Sequence, residues 1–390
     1  MATKVSQCPA LPGAAPGLAA LRRRADRTAC RILANAVRSL RAVGRSAVFL
    51  LNVFPMLPSR PVDWLTTPPV VERVHYATRH GVVEGDLYRP AAPGPHPGLL
   101  VCLGVVPFAV EHPQVPRLGA ALARAGFVAL LHWSPAMRDL RFDPDDVENF
   151  ALAYQWLIER PDVDAARSGF LGTCVGGAFS LMAAADPRIR DRVAFVAAYA
   201  PFASMWTLAR DIASASRPDG AGGREPWPVD QLTRRVYVRS LTDQLAPREA
   251  ALLREACAEP GGRVDPDTLS ADGRAISPLL THLDADAAEA ALRRLPSALQ
   301  ARLTAMSPVT YLADVQAPLL VLLHDRSDMV IPVSESRQFQ AALAGRPGVR
   351  YTELEFQHLN PAGVAPVRLA RELGKFSRAI YPVFRRAVAG

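Results

Sequence analysis

An α/β fold is predicted for this chain, with a mostly parallel sheet covered by helices on both faces and a helical insertion late in the sequence. Three observations predict it. Strand-like and helix-like runs alternate between about residue 98 and Tyr199, a pattern that implies parallel strands joined by crossovers. A glycine-rich junction at Ser168 to Asp186 reads as strand, sharp turn and helix. After Pro201-Phe202 the alternation breaks for roughly a hundred residues before strand character returns at Pro318 to Leu323.

Residues 1 to about 17 are small, Pro-rich and Gly-rich and are expected to be disordered. From Leu18 to Arg45 the pattern is helical, with eight arginines and one acid, Asp26. An apolar run, Ala47 to Leu57, follows. It is broken by Asn52 and Pro55, is too short to span a bilayer, and lies too deep for a signal-peptide core. Two readings stay open for residues 1–60: peripheral contact with an anionic membrane surface, or packing on the chain's own domain or a second subunit, including self-association. Packing is favoured, because a cationic helical face is usually a solvated one.

A hairpin is expected at Val71 to Thr78 and Val82 to Tyr88, turning through His80-Gly81. Next come a buried-type strand (Gly98 to Leu103), a helix (Pro116 to Ala125) and a strand (Phe127 to His132). A helix from Asp143 to Arg160 has Asp143 as N-cap, Pro144 in its first turn, one apolar face and Pro161 as its stop. The junction follows, then a strand at Val193 to Tyr199. Helical runs at Val229 to Leu245, Pro247 to Ala258 and Ala285 to Thr304 make up the insertion, expected over 204–305 between core segments 61–203 and 306–390. A helix (Ser334 to Ala344), a strand (Arg350 to Phe356) and a last helix from about Val367, with Pro382 as kink or stop, complete the core.

The 49% hydrophobic and 21% charged composition of the 390 residues is that of a globular protein. The net charge of +8 is carried almost wholly by arginine, since Lys4 and Lys375 are the only lysines. No motif for nucleic-acid recognition accompanies it, so nucleic acid is not an expected partner. The five scattered cysteines, Cys8, Cys30, Cys102, Cys174 and Cys257, form neither a disulfide framework nor a zinc spacing. A reducing, cytoplasmic setting is expected, with no metal and no organic cofactor.

The junction reads Gly172-Thr173-Cys174-Val175-Gly176-Gly177, a G-x-C-x-G pattern. A nucleophile at the tip of such a turn takes a strained backbone, and side chains two residues to either side would collide. Glycine removes them. The pattern resembles the nucleophile elbow of the α/β-hydrolase superfamily, with cysteine where serine is usual. The helix that starts there favours a thiolate, and the Val175 N–H is expected as one oxyanion donor. The resemblance implies the order nucleophile, acid, histidine. His324-Asp325-Arg326-Ser327-Asp328-Met329-Val330-Ile331-Pro332 is similar to the superfamily's acid loop and places the acid at Asp328; Asp325 is the weaker candidate for the acid, and its ordinary role would be to cap the turn. His358, after the last strand, sits where the catalytic histidine belongs. The second oxyanion donor is expected from the loop after the Gly98 strand, at the Val105 N–H; superfamily members often carry His-Gly where this chain has Leu103-Gly104. The resemblance covers about residues 70 to 385, and the cysteine elbow is similar to those of dienelactone hydrolases and polyhydroxyalkanoate synthases.

The activity implied is cysteine-dependent hydrolysis of a small-molecule ester, lactone or thioester through an acyl-enzyme. Acyl transfer by the same triad, or ligand binding on a hydrolase scaffold, are the alternatives. Phe202 and Trp206, at the start of the insertion, are candidates to line an apolar pocket, although packing would explain them equally well.

Overall fold

The computed structural model describes residues 16–54, 57, 64, 66–105, 112–258, 262–356 and 366–388, with side chains of the first helix described from residue 31. The segment 1–15 and most of 55–63 lie outside the described residues. Eight strands form one sheet: β1 (Val70–Thr78), β2 (Gly81–Arg89), β3 (His96–Cys102), β4 (Val128–His132), β5 (Val163–Thr173), β6 (Phe195–Tyr199), β9 (Leu320–Asp325) and β10 (Val349–Leu354). β7 (Ser216–Pro218) and β8 (Arg224–Pro226) form a separate two-stranded ribbon. The order in the sheet is β1-β2-β4-β3-β5-β6-β9-β10. β1 and β2 are the antiparallel hairpin, turned through Gly81 at a φ of 99°, and every pair from β4 to β10 is parallel. Because β3, β5, β6, β9 and β10 all point one way, the loops after them gather at a single edge of the sheet.

The strands alternate between two apolar layers, as a sheet buried on both faces requires. One layer packs under the helices Asp146–Ile158 and Cys174–Ala183 and runs on into the insertion. The other packs under the N-terminal helix (Pro16–Val53), Gln114–Arg124 and the C-terminal helix (Pro366–Ala387). The N-terminal helix is continuous through Gly44 and Asn52, and the Asn52 amide donates to the Val48 carbonyl instead of breaking the turn. The sequence pattern had divided this helix from its apolar run, and burial of Phe49 and Phe54 against Phe384, Phe356 and Phe376 explains why one helix spans both. Among the described residues no helix is long and apolar enough to cross a membrane.

Three other elements differ from the sequence expectation. The helix expected from Asp143 begins at Asp146: the Asp143 carboxylate accepts the Asp145 N–H and closes a preceding turn. The run Ala285 to Thr304 is two helices, Ala285–Arg293 and Ser297–Ala305, because Pro296 cannot donate within a helix. Pro382, by contrast, lies inside the C-terminal helix.

The insertion leaves after β6 and returns before β9 through a stitched neck. The Val309 N–H donates to the Ala203 carbonyl (3.0 Å) and the Met205 N–H to Ser307 Oγ (2.9 Å). Glu335, on the helix Val333–Ala342, is fully buried against this neck. One of its oxygens accepts the N–H groups of Ala203 and Ser204 (2.9 and 3.0 Å); the other accepts Thr207 Oγ1 and Gln338 Nε2. Burial pushes this carboxyl up to about 7 despite the four donors. A folded-state value above the unfolded one means its contribution to stability is complete below about pH 4.5 and is lost as pH rises through about 7. Glu335→Gln can keep its oxygen on the two backbone donors and offer its amide to Thr207, so it is expected to fold and to flatten the decline in stability over that window. Glu335→Ala leaves buried donors unpaired and is expected to cost about 2–4 kcal/mol. Urea unfolding of both variants from about pH 4 to 8 checks this; an unchanged pH dependence in Glu335→Gln would contradict it.

Candidate active site

β5 ends at Thr173 and the helix begins at Cys174 with no intervening loop. Cys174 takes a φ of 52°, one of four non-glycine residues at positive φ among those described, a conformation that costs on the order of 1 kcal/mol or more and must be held by its surroundings. They are tightly packed. A Cβ on Gly172 would lie 2.5 Å from the Gly176 carbonyl oxygen, and one on Gly176 would lie 2.1 Å from the Cys102 carbonyl oxygen at the end of β3. Gly104, at a φ of 74°, has no room for a Cβ either: the Thr173 carbonyl oxygen would be 2.8 Å away and the Gly176 nitrogen 3.0 Å. Thr173 Oγ1 donates to the Leu103 carbonyl (2.6 Å) and closes the same contact from the other side. The β3 loop therefore lies against the elbow, with Val105, half-buried, immediately beyond it. Departure from a His-Gly pair at this point leaves the glycine, the residue that the packing requires.

Cys174 is buried, and its neighbours push the thiol up to about 12, first through burial and then through the negative charge of Asp328; the Val175 N–H acts in the opposite direction. Desolvation of the charged form here outweighs the single backbone donor.

Asp328 is buried in the loop that follows β9, on the same edge of the sheet. Its Oδ1 accepts the N–H groups of Val330 and Ile331 (2.7 and 3.0 Å), while Oδ2 lies 3.8 Å from His324 Nε2. His324 is fully buried. Its Nε2 faces the Ile331 carbonyl (2.9 Å) and its Nδ1 faces Ser336 Oγ (2.6 Å). A carbonyl can only accept, so the network assigns the proton of a neutral ring to Nε2. Asp325 caps the turn with Oδ1, which accepts from Ser327, and ties the β10 exit with Oδ2, which accepts the Phe356 N–H. His358 lies outside the described residues.

The insertion grips the acid loop. Trp227, buried and flanked by Pro226 and Pro228, donates its indole N–H to the Asp328 carbonyl (2.9 Å). The Asp230 N–H donates to the Met329 carbonyl (3.0 Å), and Thr233 Oγ1 to that of Val330 (3.2 Å). Sequence pattern missed these contacts and His324; a lone tryptophan between prolines was the one signal available. Phe202 is fully buried, its ring beside Phe142 and Phe179. Trp206, half-buried, donates Nε1 to Thr304 Oγ1 (3.1 Å). Beside them a cavity of about 30 Å³ is lined by Phe142, Met205, Tyr237, Leu299 and Met306, with room for no more than a water or two.

Among the described residues one group, His80, Asp143 and Asp145, has metal-ligating atoms within 4.8 Å of one another. Arg141 and Arg79 already pair its two carboxylates. Asn149 Oδ1 accepts the Arg79 N–H, so its amide donates to His80 Nδ1, and the Nε2 of a neutral ring points a proton at the acids. This is an ion-paired turn at a helix start.

The chain has the α/β-hydrolase fold. A scan against protein-family models finds no match. A Bradyrhizobium protein described as a probable 2-oxo-3-(5-oxofuran-2-ylidene)propanoate lactonase is 34% identical over 128 residues, or 28% of this chain and 49% of that protein. The chain thus spans about half the length of that relative. Similar solved structures include an esterase from Pyrobaculum calidifontis (18% identity, 91% of this chain and 94% of that one, TM-score 0.46) and a 2,6-dihydroxy-pseudo-oxynicotine hydrolase (16%, 81% and 68%, 0.48). The fold itself is read from the strand order and the elbow, not from these scores.

Gly176→Ala is expected to cost on the order of 3 kcal/mol or to prevent folding, since the obstacle is backbone carbonyl and not a movable side chain. Gly374→Ala, inside the C-terminal helix where a Cβ meets nothing within 4 Å, is the control and should be neutral to stabilising by up to about 1 kcal/mol. Chemical unfolding of the two compares them directly.

Proposed function

We propose that the protein is a cysteine-dependent hydrolase of a carboxylic ester, lactone or thioester. The observation that carries this is Cys174: a thiol held at positive φ at the head of a helix, beside the Val175 N–H, with a buried carboxylate near enough to act on it. The partial relative described as a lactonase favours a lactone among the three acyl classes.

In the proposed reaction Cys174 Sγ attacks the acyl carbonyl and His358 accepts the thiol proton. The resting thiol is protonated, so its proton leaves as the bond forms. The carbonyl oxygen becomes an oxyanion, received by the N–H groups of Val175 and Val105. Collapse expels the alcohol or thiol, which takes the proton from His358 and leaves a thioester on Cys174. For a lactone the leaving oxygen stays attached to the acyl group. Water, losing a proton to His358, then attacks the thioester; the acid departs and Sγ recovers its proton. Asp328 orients the imidazole throughout and supports its positive charge. The grip of Trp227 on the Asp328 backbone assigns the insertion a part in placing that acid.

Cys174→Ala is expected to lower turnover of p-nitrophenyl acetate or a simple lactone by at least about a thousandfold, while retained turnover would sink the mechanism. Iodoacetamide labelling of Cys174, followed by mass spectrometry, is expected to rise about tenfold per pH unit through the neutral range, as a thiol titrating well above it requires. A plateau reached below about pH 7 would contradict the protonated resting state.

A further inference from the structure

We infer that His324 is a positioning residue for the acid of the site: as a neutral ring it anchors the Asp328 loop to the sheet and leaves Oδ2 of that acid to the catalytic histidine. The inference rests on the roles proposed above for Cys174, Asp328 and His358. His324 follows the apolar run Leu320 to Leu323 on β9 and is fully buried. An apolar side chain would extend that run at a lower desolvation cost, so a ring with two polar atoms at this depth needs partners for both. It has them in Ile331 and Ser336.

The loop has no strand or helix of its own between Asp328 and Pro332, so its shape depends on what its polar groups meet. Four successive carbonyls are engaged. Those of Asp328, Met329 and Val330 accept from Trp227, Asp230 and Thr233, all in the insertion. That of Ile331 accepts from His324 Nε2 (2.9 Å), the one tie of the four that comes from the sheet, and no other described donor reaches it. Ile331 is also the residue whose N–H, with that of Val330, holds Asp328 Oδ1 (3.0 and 2.7 Å). The peptide groups on either side of the Ile331 Cα are therefore both held, one by the ring and one by the carboxylate. Displacing Ile331 turns its N–H away from Oδ1 and frees the carboxylate to rotate. Ser336 sets the ring for this task. It is fully buried on the helix Val333–Ala342, with Oγ 2.6 Å from Nδ1 and 3.3 Å from the Pro201 carbonyl oxygen. The shorter contact assigns its hydroxyl proton to Nδ1, which leaves the ring proton on Nε2, aimed at Ile331. That nitrogen lies 3.8 Å from Asp328 Oδ2, beyond hydrogen-bond length, so the ring holds the loop without occupying the oxygen that the mechanism uses.

Two variants separate the two bonds of the ring. The amide of His324→Gln reaches to where Nε2 stands and can still donate to Ile331, whereas that of His324→Asn reaches only to where Nδ1 stands, beside Ser336. With p-nitrophenyl acetate, His324→Asn is expected to lose about ten- to a hundredfold in kcat, as a misplaced catalytic group does, with KM within about twofold of the wild type. His324→Gln is expected to keep kcat within about threefold. Equal kcat in the two variants would overturn the inference, because a role confined to packing would not depend on the donor to Ile331. A loss carried by KM alone would overturn it as well. Should neither variant fold, the wild type decides: nitrogen NMR of the His324 imidazole is expected to show the proton on Nε2 at neutral pH, and a proton on Nδ1 would overturn the inference. Cys174→Ala, assayed alongside, keeps the two failures apart. No turnover in the wild type, or turnover that survives Cys174→Ala, would remove the proposed reaction and this inference together. Turnover that Cys174→Ala abolishes and that His324→Asn and His324→Gln share equally would remove the inference alone.

Discussion

The backbones around Cys174 approach each other so closely that no Cβ fits at Gly104, Gly172 or Gly176, and the rest of the active edge depends on that contact. It brings the end of β3 against the start of the elbow helix, with Val105 the next residue after Gly104. It also holds Cys174 in a left-handed conformation that an isolated chain would abandon. Strain of this kind persists only where surrounding structure over-determines it, and here the restraint is backbone against backbone across two parallel strands, cooperative with the sheet itself.

The same edge is braced from the opposite side by the insertion. Glu335 and the backbone pairing of its neck fix where the insertion leaves the core, and Trp227, Asp230 and Thr233 fix where it touches the loop of Asp328. The acid is therefore positioned by two parts of the chain that are a hundred residues apart. Burial at this edge has a chemical consequence: it disfavours the free thiolate, so that in the proposed reaction proton removal accompanies the attack on substrate. The proposed mechanism differs on that point from a preformed thiolate and imidazolium pair.

Much of this was legible in the sequence because the signals were local. The G-x-C-x-G spacing follows from the Cβ collisions now seen, and buried strands such as Leu99 to Cys102 or Leu320 to Leu323 announce themselves by unbroken apolar runs. Asp325 stood in the sequence as the weaker acid candidate, and its bonds to Ser327 make it the turn cap that was its ordinary alternative. The insertion was less readable, since short helices at irregular spacing owe their limits to tertiary packing. Met205–Ser214 and Ala271–Leu280 went unmarked, and a ribbon of three-residue strands left no alternation to detect. His324 and Trp227 act through contacts with distant backbone, for which a single sequence carries no spacing. The elevated thiol follows from burial, a property of the assembled fold and not of the motif.

The central claim is that Cys174 carries the acyl group. Incubating the wild-type protein with p-nitrophenyl acetate, quenching in acid and mapping the adduct by mass spectrometry tests it most directly. An acetyl group on the peptide containing Cys174, absent from Cys174→Ala and lost on returning the protein to neutral pH, is the predicted result. Turnover with no adduct on Cys174, and undiminished in Cys174→Ala, would contradict the account.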